Sequence, residues 1–274
     1  MDDTRSAPVP GDPALTTTGI DRLLAVMARL RDPERGCPWD IEQSFETIAP
    51  YTIEEAYEVD DAIRREAWDE LEGELGDLLL QTVYHARMAE ERGLFDFDRV
   101  AEGVALKMIA RHPHIWGGES RDKSAADQVS DWERVKAAER AAKGDGGALD
   151  GVALGLPALM RAEKLGKRAA RVGFDWDDAE GVLAKVAEEA REVTEADAAH
   201  RAEEVGDLLF TVAQLARHLG VDAETALRDA NAKFERRFSA MEAEVEADGT
   251  SFRDLDTGAK GAMWTRAKAA EATR

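Results

Sequence analysis

Residues 52–80 read TIEEAYEVDDAIRREAWDELEGELGDLLL, and where the acidic residues fall in this stretch decides the fold and points toward its chemistry. A helix advances about 100° per residue, so an ordinary solvated face carries its charge opposite the apolar stripe. In the second half Leu71, Leu75, Leu78 and, just beyond, Thr82 share one side. Yet Glu74 projects only ~40° from Leu78, with Asp77 ~60° further round. In the first half Glu55 lies ~40° from Val59, and Glu58 ~60° beyond it. The spacing predicts two consecutive helices whose carboxylates run along the margin of a core.

The same pattern returns later in the chain. KVAEEAREVTEA, residues 185–196, repeats the Glu-Glu-x-x-Glu of Glu54, Glu55 and Glu58 as Glu188, Glu189 and Glu192. EEVGDLLF, residues 203–210, repeats GELGDLLL, so that Glu204 and Asp207 stand for Glu74 and Asp77. Further on, HARMAEERGLFDFDRVAEGVALKMIAR matches LARHLGVDAETALRDANAKFERR across a short gap, pairing Lys107 and Arg111 with Lys233 and Arg237. WERVK at 132–136 and WTRAK at 264–268 share Trp-x-x-x-Lys. An ordered echo of this kind marks a duplicated helical domain.

Composition agrees with an all-α chain. Alanine is abundant, aromatics make up only 6%, and no alternating strand pattern stands out. Periodicity predicts helices near 20–31, 50–65, 68–92, 97–111 and 127–142, then near 157–171, 179–199, 201–218, 222–245 and 251–271. Residues 1–18 read as a disordered tail, 19–142 as the first helical domain, 143–156 as a glycine-rich linker and 157–274 as the second. A formal net charge of −21 makes the surface repel nucleic acid polymers and anionic membranes, so a phosphate-bearing ligand needs a local basic patch or a metal. Cys37 is the one cysteine, which excludes an intramolecular disulfide and suits the cytoplasm. No segment has the ~18 apolar residues of a membrane span.

Two carboxylates ~5 Å apart at an effective dielectric of ~20 repel by about 3 kcal/mol, so four together need protonation or a cation. A ligand set made entirely of oxygen suits Mg²⁺ or Mn²⁺, and neither copy has the Glu-x-x-His pairs of a di-iron bundle.

Glu-Glu-x-x-Glu, a spacer, then Glu-x-x-Asp, occurring twice beside RGCPWD, RHPHIWG, KLGKRAARVGFDW and NAKFERRF, resembles the MazG family of nucleoside triphosphate pyrophosphohydrolases across roughly residues 19–271. The resemblance implies helical bundles, Mg²⁺ dependence, a homodimer, and hydrolysis of nucleoside triphosphates between the α and β phosphates. It further implies metal ligands Glu189, Glu192, Glu204 and Asp207 in the second copy, with Glu188 orienting water and Glu188, Glu189 and Glu192 as the catalytic carboxylates. In the first copy the metal set would be Glu55, Glu58, Glu74 and Asp77, with Glu54 in the ancillary place.

Basic residues complete the expected site. Lys233 and Arg237, spaced i, i+4, share a helix face on which they could hold phosphate oxygens; the alternative is ordinary pairing with surface acids. Trp264 with Lys268 offers a ring for the base and a charge for the phosphates, or else a packing tryptophan. Lys164, Lys167 and Arg168 of KLGKRAAR precede the acidic helix and read as phosphate ligands or as helix solvation. His112 and His114 read as shaping a loop, and Cys37 and Trp39 as a packing turn. Two rival functions remain at this stage: a narrower pyrophosphatase for deoxynucleotides or phosphoribosyl-ATP, and an acidic helical interaction protein without catalysis.

Overall fold

The computed structural model describes residues 13–118 and 147–272, together with 120, 122, 124, 127, 128, 131, 132 and 135. Every regular element among the described residues is a helix, and the chain divides into two units, Met1–Val135 and Lys136–Arg274. No helix among them is long and apolar enough to cross a membrane.

The first unit contains α1 (Pro13–Thr16), α2 (Gly19–Leu30), α3 (Pro38–Glu42), α4 (Phe45–Arg64), α5 (Trp68–Glu91), α6 (Phe97–Arg111) and α7 (Pro113–Trp116). Ser44 sets the start of α4 through a capping box: its Oγ accepts from the Thr47 amide, while Thr47 Oγ1 accepts from the Ser44 amide. That cap starts the helix five residues before the expected position 50 and leaves Pro50 inside it. A three-residue turn, 65–67, folds α5 back on α4. Met27, Ile48, Val83, Tyr84 and Met88 form the core where α2 lies across this hairpin.

That core covers only the base of the hairpin. The buried residues of α5 all lie between Gln81 and Ala89. Leu75, expected on the core stripe, is 51% exposed, and Leu79, Tyr57 and Ile53 are exposed as well. Among the described residues the carboxylates therefore edge an apolar face left open, since the core gathers at the other end of α5. Residues 13–16, expected within a disordered tail, form a helical turn packed on α2. The helix expected over 127–142 and the linker expected from 143 fall largely outside the described residues.

The second unit contains α8 (Ala158–Ala170), α9 (Ala179–Glu195), α10 (Arg201–His218), α11 (Ala223–Ala247) and α12 (Thr257–Ala272). α9 stops at Glu195 rather than 199, because Asp197 turns the chain by accepting from the amides of Ala199 and His200. α12 starts at Thr257 rather than 251, behind Asp256, whose carboxylate accepts from the Ala259 amide. α8 packs on α10 and α11 through Ala162, Ala213 and Ala223, and α11 and α12 close a separate cluster of Met241, Val245 and Met263.

A polar knot ties the base of the second hairpin. Asp175 accepts from both Arg217 and His218, and Arg217 Nε donates to Gln214 Oε1 at 2.9 Å. The pairing with Arg217 holds the Asp175 carboxyl well below the usual carboxylate range. Gln214, fully buried, uses its amide nitrogen to donate to the Ala162 carbonyl at 2.8 Å. α8 approaches closely enough to make that bond only because residue 166 is glycine: a Cβ there would sit 1.7 Å from Gln214 Oε1.

Helix propensity alone favours alanine over glycine by ~1 kcal/mol. The steric clash outweighs it, since Gln214 is held at both ends and cannot swing aside. Gly166→Ala is expected to destabilise the protein by about 2 kcal/mol or more through overpacking and a lost buried hydrogen bond. Denaturant melts of the two proteins check this; an unchanged or raised midpoint would contradict the packing account.

Candidate active site

Antiparallel pairing brings carboxylates that are distant in sequence to the tips of both hairpins. In the second unit one oxygen each from Glu189, Glu204 and Asp207 can lie within 4.8 Å of one another. Glu189 is 5% exposed, Glu204 is half-buried and Asp207 is open to solvent. Burial raises the Glu204 carboxyl above its ordinary value, and the neighbouring charges of Glu192, Glu189 and Asp207 push it further. Glu192, an expected ligand, thus stands within electrostatic reach of the trio. Glu188 lies on the exposed side of α9.

In the first unit the trio is Glu55, Glu58 and Glu74: Glu55 and Glu74 match Glu189 and Glu204, while Glu58, the counterpart of Glu192, stands where the second unit has Asp207. Burial raises the Glu55 and Glu74 carboxyls; Asp77 adds to both, and Glu58 adds to both as well. The two hairpins reach the same convergence by different lengths. Glu58 precedes the end of α4 by six residues and Glu74 follows the start of α5 by six, whereas Glu192 and Glu204 stand three residues from the corresponding ends. Each arm of the first hairpin is longer by nearly one turn, which returns its carboxylates to the same facing side.

The clusters differ in their nearest cation. Lys185 pairs with Glu188 at 2.9 Å and with Glu189 at 2.7 Å, and these two bonds raise its pKa. Alignment of the copies puts Tyr51 at the Lys185 position of the first unit. There Arg65 is committed to Asp61 and Glu70 at the turn. The sequence reading overlooked Lys185; its i, i+4 relation to Glu189 was the available signal.

The other expected basic residues have defined places. Lys167 pairs with the buried Glu163 on its own helix, Lys164 is exposed and Arg168 is half-buried. Lys233 is exposed on α11. Arg237, one turn further, pairs with Glu271 at 2.6 Å and lies over the Trp264 ring, 5.7 Å from its centroid. Trp264 is half-buried against Phe234, and Lys268 is exposed. Trp132, the first-copy counterpart of Trp264, packs edge-on against His112, whose Nδ1 is 2.6 Å from the Met108 carbonyl; Lys136 lies outside the described residues. His112 and His114 thus shape the α6–α7 corner, and Cys37 sits in the turn just before α3, with no side-chain bond to the helix.

The MazG nucleotide pyrophosphohydrolase domain matches this chain twice, at residues 43–116 and 178–240. Each match spans one carboxylate hairpin. The chain belongs to the MazG family. A nucleoside triphosphate pyrophosphohydrolase of Escherichia coli strain K12 is 50% identical over 258 residues, covering 92% of this chain and 98% of that protein. A nucleoside triphosphate pyrophosphohydrolase/pyrophosphatase MazG of Thermotoga maritima is 41% identical over 257 residues, covering 93% and 97%. This MazG protein is therefore a hydrolase built from two matching all-α domains.

MazG enzymes depend on divalent metal, and the donor set fits one: three clustered carboxylates, hard oxygen ligands, and a mutual repulsion, eased only in part by Lys185, that a cation would lower. A carboxyl raised in the folded state favours its protonated form, so Glu204 opposes folding above its folded pKa and ceases to do so below the ordinary value of 4.5. At pH 7 without divalent ions, Glu204→Gln is expected to raise the melting temperature and to shrink the further rise on adding Mg²⁺. Thermal melts with and without Mg²⁺ check this; a lowered melting temperature in the metal-free variant would contradict the repulsion.

Proposed function

We propose that the second domain hydrolyses nucleoside triphosphates between the α and β phosphates, releasing nucleoside monophosphate and pyrophosphate and so clearing unwanted nucleotides from the pool. The observation that carries this reading is the Glu189–Glu204–Asp207 convergence within a duplicated MazG hairpin.

In this reading Glu189, Glu192, Glu204 and Asp207 hold Mg²⁺, with Mn²⁺ as the natural substitute. The bound ion supplies neutralisation of the polyphosphate and a water of lowered pKa. Glu188, exposed beside the cluster, accepts the proton of the attacking water. The water oxygen bonds to the α phosphorus, and the bridging oxygen leaves with pyrophosphate. Lys185 keeps Glu188 and Glu189 oriented and offsets part of their charge. Lys233 and Arg237 bind phosphate oxygens, and Trp264 with Lys268 receives the base and a further phosphate. Lys164, Lys167 and Arg168 contribute positive potential from α8, diminished at Lys167 by its pairing with Glu163.

The first domain's set, Glu55, Glu58, Glu74 and Asp77, has the ligands for an ion but has tyrosine where the second has Lys185. We assign it the lesser share of turnover. Purified protein with Mg²⁺ is expected to convert ATP to AMP and pyrophosphate, and to stop on chelation. Glu192→Gln should remove most of that activity, at least about tenfold, while Glu58→Gln keeps a substantial fraction. Phosphate and ADP as sole products would refute the cleavage site, and equal losses from both variants would refute the preference for the second domain.

We also infer a homodimer. Leu183, Val205, Leu209, Phe210 and Val212 are exposed along the second hairpin, as Leu75 and Leu79 are along the first. Exposed large apolar side chains of this kind are what a paired copy would cover. Light scattering at micromolar concentration should give twice the 30.0 kDa chain mass. A monomeric mass would overturn this. A reducing cytoplasm suits the lone, half-buried Cys37.

A further inference from the structure

Arg236 and Arg237 meet the same carboxylate. Arg237 Nε donates to one oxygen of Glu271 at 2.6 Å, while Arg236 donates to the other from Nε and Nη2 at 3.2 and 2.9 Å. The Arg237 guanidinium also rests on Trp264, against which Phe234 packs at 5.4 Å between ring centroids. The Arg237 side chain is only 17% exposed, so its charge is partly desolvated and depends on a partner. The three charged residues border a cavity of about 170 Å³ whose other walls are Ala240, Ala267 and Ala270. Small side chains leave room beside the guanidinium groups.

Glu271 is a weak choice of partner at this place. It lies in the last turn of α12, where the helix dipole favours cations over anions. Its two oxygens present to the arginines the same fork that a phosphate presents, with a smaller charge.

We propose that Glu271 is an internal stand-in for substrate phosphate: it holds Arg236 and Arg237 ready, and the nucleotide must displace it before Arg237 can bind. This rests on the reading of Arg237 as a phosphate ligand. Glu271 is thereby a positioning residue that sets substrate affinity. It takes no part in bond cleavage.

Steady-state hydrolysis of ATP by the full chain with Mg²⁺ tests this. Removing the competing anion in Glu271→Gln is expected to lower KM about three- to tenfold, with a smaller change in kcat. Glu271→Asp keeps the charge on a shorter arm and should fall between that variant and the parent. Arg237→Ala should raise KM, and adding Glu271→Gln to it should produce no further change. If Glu271→Gln leaves KM unchanged or raises it while Arg237→Ala raises it, the glutamate is a helix staple and the stand-in is refuted, with the phosphate reading intact. If Arg237→Ala leaves KM unchanged, the phosphate reading itself fails. Circular dichroism confirms folding of each variant, and the aspartate variant decides should the glutamine one not fold.

Discussion

Like charges crowded at the tip of a helical hairpin are the constraint on which the rest of this protein depends. Glu189, Glu204 and Asp207 converge within 4.8 Å, and their repulsion acts to splay α9 from α10. Burial and the neighbouring carboxylates both raise the Glu204 carboxyl, which is the mark of that repulsion. A hairpin that carries such a tip needs a firm base. The base is where the polar bonds gather: the buried one from Gln214 to the Ala162 carbonyl, then Arg217 to Gln214, and Arg217 and His218 to Asp175 nearer the surface.

The two ends of the hairpin therefore divide the physical tasks. The base is closed by α8, whose Gly166 lets Gln214 of α10 approach, with Val182 and Ala213 fully buried. The tip is acidic and partly open, its carboxylates offset in part by Lys185. The first unit follows the same plan with different parts. Tyr84, buried, donates its hydroxyl hydrogen to Asp40, and Arg31 pairs with Glu91, while the tip carries the Glu55 trio. A shared plan built from unlike side chains fits a duplicated fold whose copies have diverged outside the acidic motif.

α11 and α12 add a second centre of charge. Their packing through Met241, Val245 and Met263 is independent of the α8 core, and it assembles Arg236, Arg237, Trp264 and Glu271 from two helices. In the resting protein the cations on both centres are already matched to carboxylates, Lys185 to Glu189 and Arg237 to Glu271. Substrate and metal would exchange partners with these groups rather than meet bare charges.

Much of this was legible in the residues themselves. The all-α class, the duplication and the acidic sets follow from patterns local to one or two helices, where the ~3.6-residue repeat ties sequence spacing to direction in space. The sequence could also suggest that Glu189 and Glu204 meet, because a short turn between two helices forces them antiparallel. It could not say how far a core extends along a hairpin. Leu71, Leu75 and Leu78 carry the periodicity of a buried stripe, yet Leu75 lies open while the core gathers around Val83, Tyr84 and Met88, and where a core settles along a helix is decided only by packing. Nor could it pair cations with carboxylates on other helices. Lys167 to Glu163 is an i, i+4 pair within one helix, but Arg237 to Glu271 depends on which carboxylate the tertiary fold brings within a few ångströms, and Glu271 stands 34 residues from its arginine.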